Sequence, residues 1–171
     1  SKPNAYAYDG YSGIEVHSKN GLGNIEHPVQ NLNRTPLEKY KGSSAAQFMV
    51  QHVLANPGEI TICAVGPLTN VALAAAIGGR EFVRSVKRVV IMGGSVEGIG
   101  NKTAAAEANI ANDPHAARIV FDAFSDITMA GLNCTHQLPL TDEIREKIRQ
   151  LNSIGQFCYD ITIHYTNLLR S

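Results

Sequence analysis

The sequence has few cysteines, no excess of charge of either sign and no long apolar run. Its 15 basic and 15 acidic residues give a formal net charge of zero, which argues against a nucleic acid or an anionic membrane as a partner. No apolar run reaches the roughly 18 residues that a membrane-spanning helix needs, and Ser1 opens no secretory signal pattern. These absences predict a small, weakly charged partner, no nucleic acid and no membrane.

The number and spacing of the cysteines indicate the cellular compartment of the protein. Cys63, Cys134 and Cys158 are an odd number and show neither a CxxC pair nor a Cys/His metal spacing. Each lies inside an apolar or helical pattern, so we predict three reduced residues of the core. Reduced thiols are typical of the cytoplasm, which is the location that the sequence favours.

Several catalytic motifs are also missing. The sequence contains no GxGxxG after a strand, no GxxxxGK[ST], no GxSxG and no HExxH, which disfavours nucleotide phosphate binding and serine hydrolase chemistry. The glycine-rich segment MGGSVEGIGN at residues 92–101 lacks the lysine of a phosphate-binding loop. Its simplest interpretation is a flexible loop between a strand and a helix.

The sequence does contain short apolar, β-branched runs that alternate with amphipathic segments. The runs at 60–65, 89–92 and 126–130 are typical of buried strands. Alternation at this spacing predicts an α/β fold with an open, mostly parallel sheet flanked by helices. At 171 residues and 18.4 kDa, the chain is long enough for a core, and one domain over residues 1–171 is expected.

Capping residues mark where helices begin. Ser44 and Gln47 have the spacing of a capping box. Asp113 stands before Pro114, as at a helix start, and Thr141 is placed to cap a later helix. Each of these positions predicts a helix in the residues that follow.

Three other segments carry weaker expectations. A helix is predicted over about 68–77, and a last helix carries an apolar stripe over 154–168 that we interpret as core or subunit contact rather than a cofactor site. Residues 1–35 show no sustained period, which predicts irregular loop with at most a short strand at 13–17.

Three hydrogen-bonding side chains follow the strand at 89–92. Asn101, Glu107 and Asn109 lie in the segment that leaves the carboxyl end of this strand, the edge where open α/β sheets bind ligands. A carboxylate that accepts, next to amides that donate and accept, could bind vicinal hydroxyls. The alternative, a solvated acid in a flexible loop, is about equally compatible with the spacing. A lone loop histidine such as His17 is more often solvated than ligand-bound.

The same residues carry a family resemblance. GPLTN at 66–70, VVIMGG at 89–94, GN at 100–101, AAEANIANDPHAARIVF at 105–121 and ITMAGLNCTHQ at 127–137 resemble the middle of the inosine-uridine preferring nucleoside hydrolase family. The match covers most of residues 44–137, in order. The resemblance implies a nucleoside hydrolase-like fold with a Rossmann-like core, of which this chain would be a partial domain.

The resemblance also implies an activity and a ligand set. Members of this family hydrolyse the N-glycosidic bond of ribonucleosides to ribose and free base, with a bound calcium ion (Ca²⁺) and an oxocarbenium-like transition state. By motif position, Glu107, Asn109 and Asn101 would hold ribose hydroxyls, and Met92 would line the sugar pocket. The Val65 main-chain carbonyl would be a calcium ligand. His17 would lie near the base in a segment similar to VHGxxGLG, although Ser18 replaces a glycine. Homodimers or homotetramers are expected.

Departures from the family pattern keep an alternative open. No DxDxxxDD cluster, which supplies metal carboxylates and the general base in the family, occurs in this sequence, and Asp9 is isolated. No catalytic base is therefore identifiable, and one carbonyl cannot supply the 6 to 8 oxygens that calcium usually takes. The chain resembles the central half of a hydrolase and is expected to be inactive by itself. The alternative is an inactive short homologue that acts as a ribose-binding, nucleoside-binding or structural subunit.

Overall fold

The computed structural model describes residues 14–25 and 42–170. These residues fall into two compact units: the first contains 42–138, and the second contains 14–25 and 139–170. The single domain expected for residues 1–171 stays a prediction. Within the described ranges, no helix combines the length and the apolar character needed to cross a membrane.

The secondary structure alternates as the sequence predicts. The strands are β1 (Thr61–Ala64), β2 (Arg88–Met92) and β3 (Ile127–Ala130). The helices are α1 (Ile14–His17), α2 (Ala45–Ala55), α3 (Thr69–Ser85), α4 (Ala108–Asn112), α5 (Pro114–Ala123), α6 (Leu132–Thr135), α7 (Asp142–Arg149) and α8 (Ser153–Arg170).

The first unit is built on a parallel sheet of three strands in the order β1-β2-β3. β2 is central and pairs in parallel with both neighbours, with Val90 opposite Cys63 on one side and Thr128 on the other. Val89 and Ile91, which lie on the same face of β2, are completely buried, whereas Val90 on the opposite face is partly buried. The predicted α/β fold with an open parallel sheet flanked by helices is confirmed.

The helix starts follow the capping residues. The Ser44 hydroxyl accepts a hydrogen bond from the Gln47 main-chain nitrogen at 3.2 Å, and the Gln47 side chain accepts one from the Ser44 nitrogen at 2.8 Å, so the predicted capping box is confirmed. Asp113 caps α5 and Thr141 caps α7. Because these caps satisfy main-chain N–H groups that have no partner within the helix, they fix where each helix begins.

Helix α3 is longer than the predicted helix over 68–77. It starts at Thr69 and continues to Ser85, with one non-helical residue, Gly79, at φ 58° and ψ −153°. Glycine adopts this conformation without strain, whereas a residue with a side chain would be strained in it. The helix resumes after Gly79 because Phe82 is completely buried, where its ring meets that of Phe124 edge-on at 6.2 Å.

The second unit contains α1, α7 and α8. Its polar centre is Arg145, which is 5% exposed and donates to Asp142 at 3.0 Å and to the Thr162 hydroxyl at 2.8 Å. The guanidinium also lies over the Tyr159 ring, 4.6 Å from its centroid. A buried cation needs this pairing to offset its lost hydration, so Arg145 ties α7 to α8.

Two sequence-based expectations are wrong. The segment expected to form at most a short strand is helical from Ile14 to His17. It is followed by a turn in which an added Cβ on Gly23 would lie 3.0 Å from the Ile161 carbonyl oxygen, so packing on α8 decides the local structure. The three cysteines expected in the core are all exposed, because each stands on the outward face of its strand or helix.

Candidate functional site

The first turn of α4 lies at the centre of the candidate site, and Glu107 caps it. The Glu107 side chain accepts three main-chain hydrogen bonds: Oε1 accepts from Asn109 at 2.9 Å, and Oε2 accepts from Ile110 at 3.1 Å and from Gly94 at 2.9 Å. Glu107 is 3% exposed. A buried carboxylate held by three N–H donors has a fixed position and a satisfied charge.

Asn101 caps the same helix turn from the preceding loop. Its Oδ1 accepts a hydrogen bond from the Ala108 nitrogen at 2.8 Å. The first three N–H groups of α4 are therefore satisfied by Asn101 and Glu107, two residues that the sequence singles out. The structure brings them together on one helix end, which the six-residue spacing alone could not establish.

The loop that carries Asn101 is held by its own main chain. The nitrogens of Asn101, Lys102 and Thr103 donate to the Ala106 carbonyl oxygen at 3.2, 2.9 and 3.3 Å, and the Gly100 nitrogen donates to the Ala104 oxygen at 2.9 Å. These converging bonds make the loop a compact turn. The interpretation of the glycine-rich segment at 92–101 as a flexible loop stays a prediction, since these bonds lie in residues 100–106.

A side chain at Gly100 should open this turn. An added Cβ would collide with the Thr103 carbonyl and with both main-chain polar atoms of Ala106, and overpacking of this kind costs about 1–3 kcal/mol. In Gly100→Ala we expect the amides of Asn101 and Ala108 to exchange hydrogen about tenfold faster or more. Gly66→Ala, where an added Cβ meets nothing within 4 Å, is the control. Unchanged exchange in Gly100→Ala would contradict the turn.

Asn109 links α4 to the end of β2. Its Nδ2 donates to the Met92 carbonyl oxygen at 3.0 Å and lies 3.4 Å from the Met92 sulfur. Within the described residues its Oδ1 accepts no hydrogen bond, so it keeps its acceptor for a ligand. Met92, predicted to line a sugar pocket, thus lies beside Asn109, one of the predicted hydroxyl-binding residues.

Glu107, Asn109 and Asn101 form a cluster that still has hydrogen-bond donors and acceptors available for a ligand. A carboxylate offers about four acceptor positions, and three at Glu107 are occupied, which leaves about one for a ligand donor. Asn109 offers an acceptor, and the Asn101 amide nitrogen offers donors, since only its oxygen is bound within the described residues. Hydroxyl groups both donate and accept, so this combination suits a polyol such as a sugar.

Val65, the predicted metal ligand, directly follows β1. The residue is exposed, and its carbonyl oxygen accepts no hydrogen bond from the described main chain. No group of three His, Cys, Asp or Glu side chains in the described residues could hold a metal ion. Calcium takes 6 to 8 oxygens, so the residues in the described ranges do not by themselves fit a calcium site.

His17 lies in the second unit. It is the last residue of α1 and is exposed, and its carbonyl oxygen accepts from the Gly23 nitrogen at 3.1 Å. The turn after it has two non-glycine residues with positive φ, Ser18 and Asn24. The role of His17 near a base stays a prediction.

Sequence reasoning missed two contacts of this site. The Gly94 nitrogen is a partner of Glu107, and the Thr69 hydroxyl donates to Asp113 at 2.6 Å. The signal for the first was the Gly93-Gly94 pair at the strand end, which allows the main chain to approach a side chain closely. The second had no sequence signal, because its partners are 44 residues apart.

The fold and the cluster together define a class: an α/β protein with a buried carboxylate and two amide side chains where the central strand of a parallel sheet ends. The chain belongs to the inosine-uridine preferring nucleoside hydrolase family, whose family model matches residues 7–170. The resemblance drawn from the sequence motifs is confirmed.

Known proteins similar to this chain agree with that assignment. The chain is 47% identical over 128 residues to uridine nucleosidase 1 of Arabidopsis thaliana, which covers 75% of this chain and 36% of that protein. A solved plant nucleoside hydrolase has a TM-score of 0.80 at 36% identity, covering 91% of this chain and 47% of that one. A purine-preferring ribonucleoside hydrolase from Gardnerella vaginalis has a TM-score of 0.77 at 31% identity, covering 92% and 48%. The chain thus spans less than half the length of each.

Proposed function

We propose that the protein hydrolyses the N-glycosidic bond of ribonucleosides, releasing ribose and the free base, and that the cluster at the start of α4 holds the ribose. The observation that carries the proposal is the buried Glu107 carboxylate, fixed by three N–H donors and left with about one acceptor position. It occurs in a member of the nucleoside hydrolase family. Binding to ribose hydroxyls is the chemistry that this arrangement suits.

The cluster would act by orienting the sugar and by stabilising charge. As the bond between the sugar and the base breaks, positive charge develops on the ribose ring. A carboxylate that already has its position, such as Glu107, interacts more strongly with that charge than with the neutral ground state. Asn109 and Asn101 would fix the ring through its hydroxyls, so that no reorganisation is needed during the reaction.

The proposal also includes a bound calcium ion. Bound calcium would supply Lewis-acid chemistry, by which the pKa of a coordinated water is lowered. The Val65 carbonyl is a suitable hard ligand, and the carboxylates that complete the site would have to lie outside the described residues. The residues of α4 bind the sugar in this proposal whichever groups hold the ion.

Release of ribose tests the function. The intact protein, at its natural length, is incubated with uridine and with inosine in the presence of calcium, and new reducing sugar is measured. We expect ribose and free base in equal amounts. Calorimetric binding of either nucleoside without any turnover would contradict the hydrolase and support the alternative, a nucleoside-binding subunit.

The proposal also covers the oligomeric state of the protein and its location in the cell. The exposed apolar residues of α8, among them Ile154 and Tyr165, favour the predicted homodimer or homotetramer, since an apolar helix face is a common subunit contact. Sedimentation of the intact protein tests this, and a monomer at micromolar concentration would contradict it. The cytoplasmic location remains part of the prediction.

A further inference from the structure

One partly buried hydrogen bond joins the start of α3 to the junction of α4 and α5. The Thr69 hydroxyl donates to Asp113 Oδ2 at 2.6 Å, across 44 residues of sequence. Asp113 is 3% exposed. A short hydrogen bond to a buried carboxylate is charge-assisted and is among the stronger contacts in a protein interior.

Asp113 is fixed on its own side by two further bonds. Its nitrogen donates to the Ile110 carbonyl at 3.3 Å, which closes α4, and its Oδ1 accepts from the Ala116 nitrogen at 3.0 Å, which starts α5. Serine or asparagine would cap α5 as well as aspartate does, and a buried carboxylate costs more free energy to desolvate. The bond from Thr69 is what uses the second carboxylate oxygen.

Thr69 is equally fixed on the other side. It is the first residue of α3, directly after Leu68, which is completely buried. The turn before it carries Val65 and follows β1, whereas α4 follows β2, and these two strands are neighbours in the sheet. The hydrogen bond therefore crosses between the carboxyl ends of adjacent strands.

We propose that Thr69 and Asp113 are positioning residues of the proposed active site, a role that rests on the proposed function. Their hydrogen bond holds the segment that contains Glu107 and Asn109 against the turn that contains Val65. The distance between these two sides of the site is therefore fixed. Neither residue needs to touch the substrate. A displacement of about 1 Å between groups that act on one substrate can cost about 10²-fold in rate.

The test removes the hydroxyl of Thr69 and then restores it. Thr69→Val keeps the side-chain shape, Thr69→Ser keeps the hydroxyl, and Thr128→Val makes the same change at an exposed residue of β3. We expect Thr69→Val in the intact protein to lower kcat for uridine by about 10- to 100-fold, with a smaller change in KM. Thr69→Ser should return kcat to within about threefold, and Thr128→Val should leave both constants unchanged.

A merely structural role would lower Tm without changing kcat of the folded enzyme, so the kinetics are measured well below the Tm of each variant. Unchanged kcat in folded Thr69→Val, or a Thr69→Ser variant as impaired as Thr69→Val, would overturn the inference and leave the proposed function standing. An inactive unmodified protein would overturn the proposed function. If Thr69→Val does not fold, Thr69→Ala lacks the same hydroxyl and gives the same comparison.

Discussion

Glu107→Gln should lower kcat/KM for ribonucleosides by about 10²-fold or more, because it removes the fixed negative charge that would face the ribose in the transition state. The carboxamide also fits its surroundings poorly. One oxygen can accept from at most two of the three N–H groups, so the amide group faces the third, and one buried N–H loses its acceptor. We expect a cost in stability of about 1–3 kcal/mol as well.

The two effects of Glu107→Gln are separated by measuring Tm and then kinetics at a temperature where the variant is folded. Glu97→Gln is a matched control, since Glu97 is exposed in the loop that follows β2, and it should change neither quantity. A contact made in the transition state should cost far more than about twofold when it is removed. If folded Glu107→Gln keeps kcat/KM within about twofold of that of the unmodified protein, Glu107 does not belong to the active site.

Asn109→Asp should lower kcat/KM by about 5- to 150-fold, which corresponds to about 1–3 kcal/mol for a buried polar group that loses its hydrogen-bond partner. The substitution replaces the Nδ2 donor with an oxygen that faces the Met92 carbonyl oxygen, 3.0 Å away in the native arrangement. It also adds a negative charge two residues from Glu107. Both effects turn the side chain away from the position in which its Oδ1 would meet a sugar hydroxyl.

Asn112→Asp is the control for Asn109→Asp. Asn112 lies in the same five-residue helix, and within the described residues its side chain makes no hydrogen bond. The change of charge is therefore the same, while the bond to Met92 is kept. Equal losses in the two variants would show that charge near α4, rather than the position of Asn109, causes the effect.

Local sequence signals predict much of this fold. The three strands are found by their β-branched runs, and α2, α5 and α7 are found by their caps, because a capping side chain bonds within three or four residues of its own position. The exposure of the cysteines was not predictable in this way. In β1, Ile62 faces the core and Cys63 faces outward, and with only four residues the sequence does not fix which face is buried.

The candidate site was predicted as a set of residues but not as a structure. Helix α4 has the sequence ANIAN, whose asparagines are poor helix formers, and five residues are too few to form a stable helix alone. It forms because Glu107 and Asn101 supply its caps, because Met92 at the end of β2 accepts a hydrogen bond from Asn109, and because Gly94 holds the capping carboxylate of Glu107. Contacts between residues 13, 17 or 44 positions apart depend on the sheet order, which no local pattern contains.

The measurement that tests the account most directly is a double-perturbation cycle, which combines a substitution of Asn109 with the removal of single ribose hydroxyls from the substrate. The intact enzyme and Asn109→Ala are each assayed for kcat/KM with uridine, 2′-deoxyuridine and 3′-deoxyuridine. If Asn109 binds a ribose hydroxyl, the analogue that lacks this hydroxyl should lose about tenfold or more in the native enzyme and almost nothing further in Asn109→Ala, because the contact is already gone. Equal losses in both enzymes for both analogues would show that Asn109 does not bind the sugar, and would contradict the placement of ribose at the start of α4.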